Sequence, residues 1–342
     1  MNFTVLITNA CNLNCKYCFL SNKKAKTITI ETIDKVVAFI LDKTGDTIED
    51  VSVVVYGGEP LIAFDELKYL VCQLKAAFAM KNHIKFHITT NGTLLSGERA
   101  VFIAENFDSI SLSVDGTKEA HDSNRAFCSG EGSYEHVIPN MLRFIHGTDR
   151  VVIGRMTVNT INVSYLAQSV SHLIDLGFKK IEPVVDQFDD WNDASLKVLE
   201  SECLKLIDIK ISNPYVDIGL ITDAMYRCKN APCNGGNTTF TIDTDGRIFP
   251  CVVAVGIPQW VIGDVANGID NERTTSLFNH YLGINHCCDG CTRYEYCDGT
   301  RCKIINKIQT GSWDIPKMIV CDLQNLKVST ADTYLDKTRK QE

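Results

Sequence analysis

Apolar positions along the first two thirds of the chain follow two alternating periods. Short apolar runs, Phe3–Thr8, Val51–Tyr56, Ile84–Ile88, Ser109–Val114, Val151–Val158 and Lys180–Val185, read as strands. Between them lie stripes at i, i+3 and i+4. In Glu31–Lys43 the stripe is Ile33, Val36, Val37, Ile40 and Leu41, a packed helix that Gly45 can end. Phe64–Met80 repeats it with Leu67, Leu70, Val71, Leu74 and Phe78. Further helices are expected at Gly97–Glu105, at Tyr134–Ile145 despite Pro139, at Val163–Leu176 ahead of Gly177, and at Asp193–Ser212.

Six β-α units in succession imply a parallel sheet with helices outside it. Right-handed crossovers curl such a sheet, and functional loops then follow the strands. Pattern alone leaves a partial barrel and a doubly wound sheet both open. From about Asn213 the periodicity fades, and glycines and cysteines crowd in. We therefore expect a first domain over 1–212, a bridging segment over 213–227, a cysteine-rich domain over 228–325 and a tail over 326–342. With no long polar linker, the second domain should pack directly on the first.

A chain of 342 residues, 45% hydrophobic and 22% charged, is that of a soluble globular protein. Its net charge of −8 argues against nucleic acid or an anionic membrane as partner. No apolar run approaches the roughly 18 residues of a membrane span, and no signal segment opens the chain. Fifteen cysteines without such a segment read as metal ligands in a reducing, cytoplasmic setting rather than disulfides.

The densest chemistry is Cys11–Asn–Leu–Asn–Cys15–Lys–Tyr–Cys18, directly after the first strand. Thiolates are soft ligands, suited to iron–sulfur clusters or zinc. Zinc sites hold four ligands; here there are three, with no fourth before Cys72. Three ligands on a four-iron cluster leave one iron open. Together with Gly57–Gly58–Glu59–Pro60 after the second strand, the motif resembles the radical S-adenosylmethionine (SAM) superfamily. The resemblance implies a partial (β/α)6 TIM-like barrel. It also implies a SAM-binding [4Fe-4S] cluster on Cys11, Cys15 and Cys18, which cleaves SAM to a 5′-deoxyadenosyl radical. Tyr17 matches the aromatic usual before the third cysteine. Gly57, Gly58, Glu59 and Pro60 should meet the methionine ammonium, with Glu59 as an acceptor. After later strands, Asn91 of Thr90–Asn91–Gly92, then Ser113 and Asp115, offer groups for ribose or the methionine carboxylate. Ser113 and Arg155 take the carboxylate by family analogy. Residues Asp115 to Arg125 and Gly130 to Tyr134 resemble a block of peptide-modifying members and should border the cavity. His121 within it is a proton carrier or a structural histidine.

A second cysteine field runs Cys233, Cys251, Cys288, Cys291, Cys297, Cys302, Cys321. It resembles the SPASM domain found after radical SAM domains, with the step from Cys297 to Cys302 one residue longer than usual. Cys228 supplies an eighth thiol, and eight complete two further [4Fe-4S] clusters. By analogy Cys228, Cys233, Cys251 and Cys302 hold one, and Cys288, Cys291, Cys297 and Cys321 the other. Cys287 competes with Cys288; Cys288 preserves the C-x2-C spacing. Cys72 and Cys203 fall in helical stripes and read as core. Cys128, in a polar loop, is a candidate hydrogen-atom donor to a substrate radical.

The resemblance fixes radical generation and leaves the substrate wide. Sulfatase-maturating members carry an acidic residue where Val252 stands, which counts against that activity. The expected reaction is modification of a ribosomally made precursor peptide, with a thioether or carbon–carbon crosslink as product. Epimerisation and oxidation of a protein serine or cysteine are the alternatives, and a zinc- or cluster-bearing regulatory module is the non-enzyme one. The chain starts ten residues before Cys11, so no leader-binding domain is expected ahead of the barrel. A separate leader-binding protein and an electron donor such as flavodoxin or ferredoxin are the expected partners.

Overall fold

The structure is a computed structural model and describes residues 1–20, 25–45, 50–79, 84–225, 229 and 231–339. The first half builds β1 (Asn2–Thr8), α1 (Ile30–Thr44), β2 (Val51–Gly57), α2 (Phe64–Ala77), β3 (Ile84–Thr90) and α3 (Gly97–Asn106). It continues through β4 (Ser109–Ser113), α4 (Lys118–Asp122), α5 (Tyr134–Gly147), β5 (Val151–Val158), α6 (Leu166–Asp175), β6 (Lys180–Val185) and α7 (Asp193–Ser212). Two short elements follow, β7 (Asp217–Ile218) and α8 (Gly219–Thr222).

Local chemistry explains the boundaries. The Thr29 hydroxyl caps α1 by accepting from the Thr32 amide at 3.2 Å. Gly45, with φ of 48°, ends the helix. The second helix ends at Ala77; the expected end at Met80 lies outside the described residues. Phe3, Val5, Leu6 and Ile7 are all fully buried, as a strand covered on both faces requires.

Strands β1 to β6 lie side by side in sequence order, all parallel. A doubly wound sheet reverses its order partway; this one does not, so the open choice resolves to the partial barrel. Helix α1 packs on α2 and α6 on α7 outside it. The C-terminal ends of all six strands thus share one rim.

The cysteine-rich region joins the same sheet. Its strands are β8 (Thr239–Ile242), β9 (Arg247–Phe249), β10 (Gly263–Asp264) and β11 (Gly268–Ile269). β8 pairs in parallel with the free edge of β1, from Asn2 against Thr239 to Val5 against Ile242. Helices α9 (Asn271–Tyr281), α10 (Asp298–Arg301), α11 (Lys303–Thr310) and α12 (Met318–Arg339) complete the chain. The expected start of a tail at 326 falls inside α12. That helix packs back on α7 and α8, and Lys337 Nζ donates to Asp208 Oδ1 at 2.7 Å. Among the cysteines, Lys303 is 1% exposed and ties two segments together. Its ammonium donates to the Gly283 carbonyl and to Asp314 Oδ1, each at 2.7 Å, and also to Asn285.

Candidate active site

The Cys11–Cys18 loop leaves the end of β1 and lies over the end of β2. There the Gly58 amide donates to the Thr8 carbonyl and the Glu59 amide to the Ala10 carbonyl, both at 2.8 Å. A Cβ on Gly57 would stand 2.3 Å from the Thr8 oxygen, and one on Gly58 2.2 Å from the Ala10 oxygen. The two glycines therefore admit the backbone of the cysteine loop itself. Asn12 Nδ2 donates to Thr93 Oγ1 at 2.8 Å, and Asn91 Nδ2 to Asn12 Oδ1 at 2.9 Å.

A second clamp comes from residues 115–134. The Asn14 amide donates to the Ala126 carbonyl at 2.7 Å and the Lys16 amide to the Asn124 carbonyl at 3.1 Å. The Tyr17 hydroxyl donates to Asp115 Oδ2 at 2.6 Å. That carboxylate also pairs with Arg125 Nε at 3.1 Å, while Oδ1 accepts from the Thr157 amide at 2.9 Å. The Arg125 guanidinium sits over the Tyr17 ring, 5.2 Å from its centroid. Burial works against the Arg125 charge, but Asp115, Tyr17 and Cys15 together outweigh it and hold the group protonated. Burial likewise raises the Tyr17 pKa well above its usual value. His121 is fully buried between Ser133 Oγ at 2.9 Å and the Asp115 amide at 3.4 Å. Burial, with Arg125 and Lys118, pushes its pKa down to about 3. The ring is a neutral structural group, not a proton carrier.

The rim of the barrel encloses a cavity of about 740 Å³. Cys11, Cys15, Cys18 and Tyr17 line it, with Gly57, Gly58, Asn91, Ser113, Arg125 and Arg155. Apolar residues complete the wall, among them Phe19, Ile161, Val184 and Phe188, with Val253, Ile257, Ile305 and Ile308 from the cysteine-rich region. Asp186 and Asp189 are the carboxylates that line it among the described residues.

Several expected roles change against this geometry. Glu59 and Pro60 do not line the cavity. Glu59 is fully buried behind it and accepts from the Thr90 hydroxyl at 2.7 Å, the Asn91 amide at 2.7 Å and the Leu61 amide at 3.1 Å. Burial pushes its carboxyl up to about 7 against these three donors. Asp115 is likewise spent on protein partners, so neither acid is turned toward a ligand. Asn91 lines the cavity, but its amide serves Asn12 and lies 3.9 Å from the Cys11 sulfur. Cys128 lies in a turn, is exposed and is not among the residues that line the cavity. Arg155 does line the cavity, with Nη1 on Glu182 Oε2 at 2.9 Å. Arg125, the last residue of the block expected to border the cavity, does line it, although the motif assigned it no role of its own. Reading by motif passed over Tyr56, the last residue of an apolar run, whose hydroxyl burial raises in pKa.

The later cysteines gather in two groups. Cys233, Cys251 and Cys302 lie within electrostatic reach of one another and of Tyr281. Cys228 lies outside the described residues. Cys288, Cys291, Cys297 and Cys321 form the other group. Cys287 Sγ stands 3.7 Å from Cys288 Sγ and donates to the Asp314 carbonyl at 3.4 Å.

Soft donors on one loop, glycine-lined space beside them and a cationic side chain across the same cavity suit a thiolate-ligated cluster with an amino-acid ligand at its open iron. A partial barrel with that loop after its first strand defines a class of radical-generating metalloenzymes. The Radical SAM superfamily model matches residues 5–173. The chain belongs to this superfamily, as an enzyme of maturase type with SPASM-type architecture that uses SAM and a [4Fe-4S] cluster. A cysteine-type anaerobic sulfatase-maturating enzyme of Clostridium perfringens (strain 13 / Type A) is 26% identical over 328 residues, 86% of this chain and 87% of that protein. The structure of native anSMEcpe with bound AdoMet and the Kp18Cys peptide superposes with a TM-score of 0.82 at 18% identity, covering 100% of both chains. Streptococcus suis SuiB bound to precursor peptide SuiA gives 0.68 at 17% identity, over 94% of this chain and 75% of that one. No described helix is long and apolar enough to cross a membrane.

Proposed function

We propose that this enzyme modifies a ribosomally made peptide, joining a side chain to a carbon of the same peptide by a thioether or carbon–carbon bond. Cys11, Cys15 and Cys18 hold the first cluster, and Ser113 and Arg155 take the SAM carboxylate. When bound, cluster and SAM supply a carbon-centred radical that removes a hydrogen atom from substrate. Tyr17, Asp115 and Arg125 hold the cysteine loop in place for that step. Cys228, Cys233, Cys251 and Cys302 would hold a second cluster and Cys288, Cys291, Cys297 and Cys321 a third, each supplying a one-electron acceptor for the oxidation that a crosslink requires. The contact of the Cys287 thiol with the Asp314 carbonyl supports Cys288 as the ligand.

One observation carries the reading. One cavity is lined by the Cys11, Cys15 and Cys18 thiols, by Arg125 and Arg155, and by apolar side chains, of which Ile161, Val184 and Phe188 are each at least 40% exposed. Its volume, within the range of roughly 300–1,000 Å³ for ligand sites, suits SAM together with an entering side chain. The peptide-bound neighbours anSMEcpe and SuiB support a peptide substrate. A separate leader-binding protein, and flavodoxin or ferredoxin as reductant, complete a cytoplasmic system.

A second reading is oxidation of a protein cysteine or serine, favoured by similarity to sulfatase-maturating enzymes along most of the chain. Val252 stands where that activity expects an acid, and its neighbour Val253 lines the cavity instead. Mass spectrometry of a co-expressed candidate peptide separates the two. Loss of two hydrogens with a new linkage between two residues in the fragment ions supports the crosslink, whereas the same loss confined to a serine, leaving an aldehyde that a hydrazine traps, supports the second reading. Loss of sulfur from a cysteine supports the second reading, and an unchanged mass supports epimerisation.

A further inference from the structure

Tyr281 closes α9 and is 5% exposed. Its hydroxyl is buried and makes no hydrogen bond of normal geometry. The group in reach of it is the Cys233 thiol, with Cys251 and Cys302 close behind. Gly235 leaves the room: a Cβ there would stand 3.2 Å from the Tyr281 hydroxyl and 2.8 Å from the Pro250 carbonyl oxygen. The Gly235 amide already donates to Cys233 Sγ at 3.4 Å. A phenol hidden from water without an acceptor is costly. A thiolate sulfur on iron is a better acceptor than a thiol, so loading the site removes that cost.

We propose that Tyr281 donates its O–H to the Cys233 sulfur when that sulfur ligates a cluster, and with the Gly235 amide sets that cluster's reduction potential. The inference rests on Cys233, Cys251 and Cys302 being cluster ligands, as proposed above. Hydrogen bonds to ligand sulfur withdraw negative charge and favour the reduced state, so the potential rises. The cluster then accepts an electron more readily. Tyr281 touches a ligand and not the substrate, which makes it a positioning residue.

The test is an anaerobic redox titration followed by electron paramagnetic resonance, on the reconstituted full chain and on Tyr281→Phe. The expected result is equal iron content, one cluster shifted to more negative potential, and the others unmoved. Equal iron with all potentials unchanged overturns the role of Tyr281. Should Tyr281→Phe fold poorly, 2,3-difluorotyrosine at position 281 is a stronger donor and must shift the same cluster upward; no shift again overturns the proposal. Cys233→Ala checks the underlying reading separately, since undiminished iron there removes the cluster from this site whatever Tyr281 does.

Discussion

Tyr17 and Asp115 lie 98 positions apart in the chain and share a hydrogen bond of 2.6 Å. It binds the residue before the third cysteine to the end of β4. The same carboxylate neutralises Arg125, a buried cation on the cavity wall. Removing the acid leaves that charge unpaired. Asp115→Ala should cost about 3–5 kcal/mol, read as a lower urea midpoint, and should reduce the iron held by the first cluster. A variant of unchanged stability would show that the pair does not fasten the loop.

His121 gives stability a pH slope. Folding holds its pKa at about 3, whereas the unfolded chain takes up the proton near 6.5. Between these values the unfolded state binds more protons, so stability falls as pH drops below about 6.5. The slope from this group approaches about 1.4 kcal/mol per pH unit. His121→Asn should be less stable at neutral pH yet show a flatter urea-midpoint profile between about pH 6.5 and 5. Parallel profiles would contradict a buried neutral ring.

Gly58→Ala places a methyl group 2.2 Å from the Ala10 carbonyl oxygen. Backbone cannot yield as a flexible side chain does, so the cysteine loop must move. We expect a loss of about 1–3 kcal/mol and a first cluster that no longer assembles fully, measured as iron per chain after reconstitution. Full iron content would mean that the loop tolerates the shift.

Much of the barrel was legible because strand and helix periods differ and each stripe is long. Ile33 to Leu41 or Leu67 to Phe78 can be buried in only one way. The cysteine loop was legible because the spacing of Cys11, Cys15 and Cys18 is itself the chemical signal. The joining of β8 to β1 was not, since four residues, Thr239–Ile242, carry no period that identifies a partner strand. Nor were the true tasks of Glu59 and Asp115. A carboxylate next to a binding loop reads as a ligand-facing acceptor, and only the fold brings Thr90, Asn91 and Leu61 to the first or Tyr17, Thr157 and Arg125 to the second. Arg125 was visible as part of the block bordering the cavity, but its role was not, because that role lies in a pairing made ten residues away.

Cys128 is exposed on a turn and is not among the residues that line the cavity. Cys128→Ala should therefore keep full turnover and the same product by mass spectrometry. A lost or altered product would return this thiol to the reaction.

The account depends above all on the first three cysteines. Anaerobically purified protein, with its iron and sulfide restored, should release 5′-deoxyadenosine from SAM under a strong reductant. The variant with Cys11, Cys15 and Cys18 all changed to alanine should release none. Absence of the nucleoside from the intact enzyme, or equal release from the variant, would contradict the central claim.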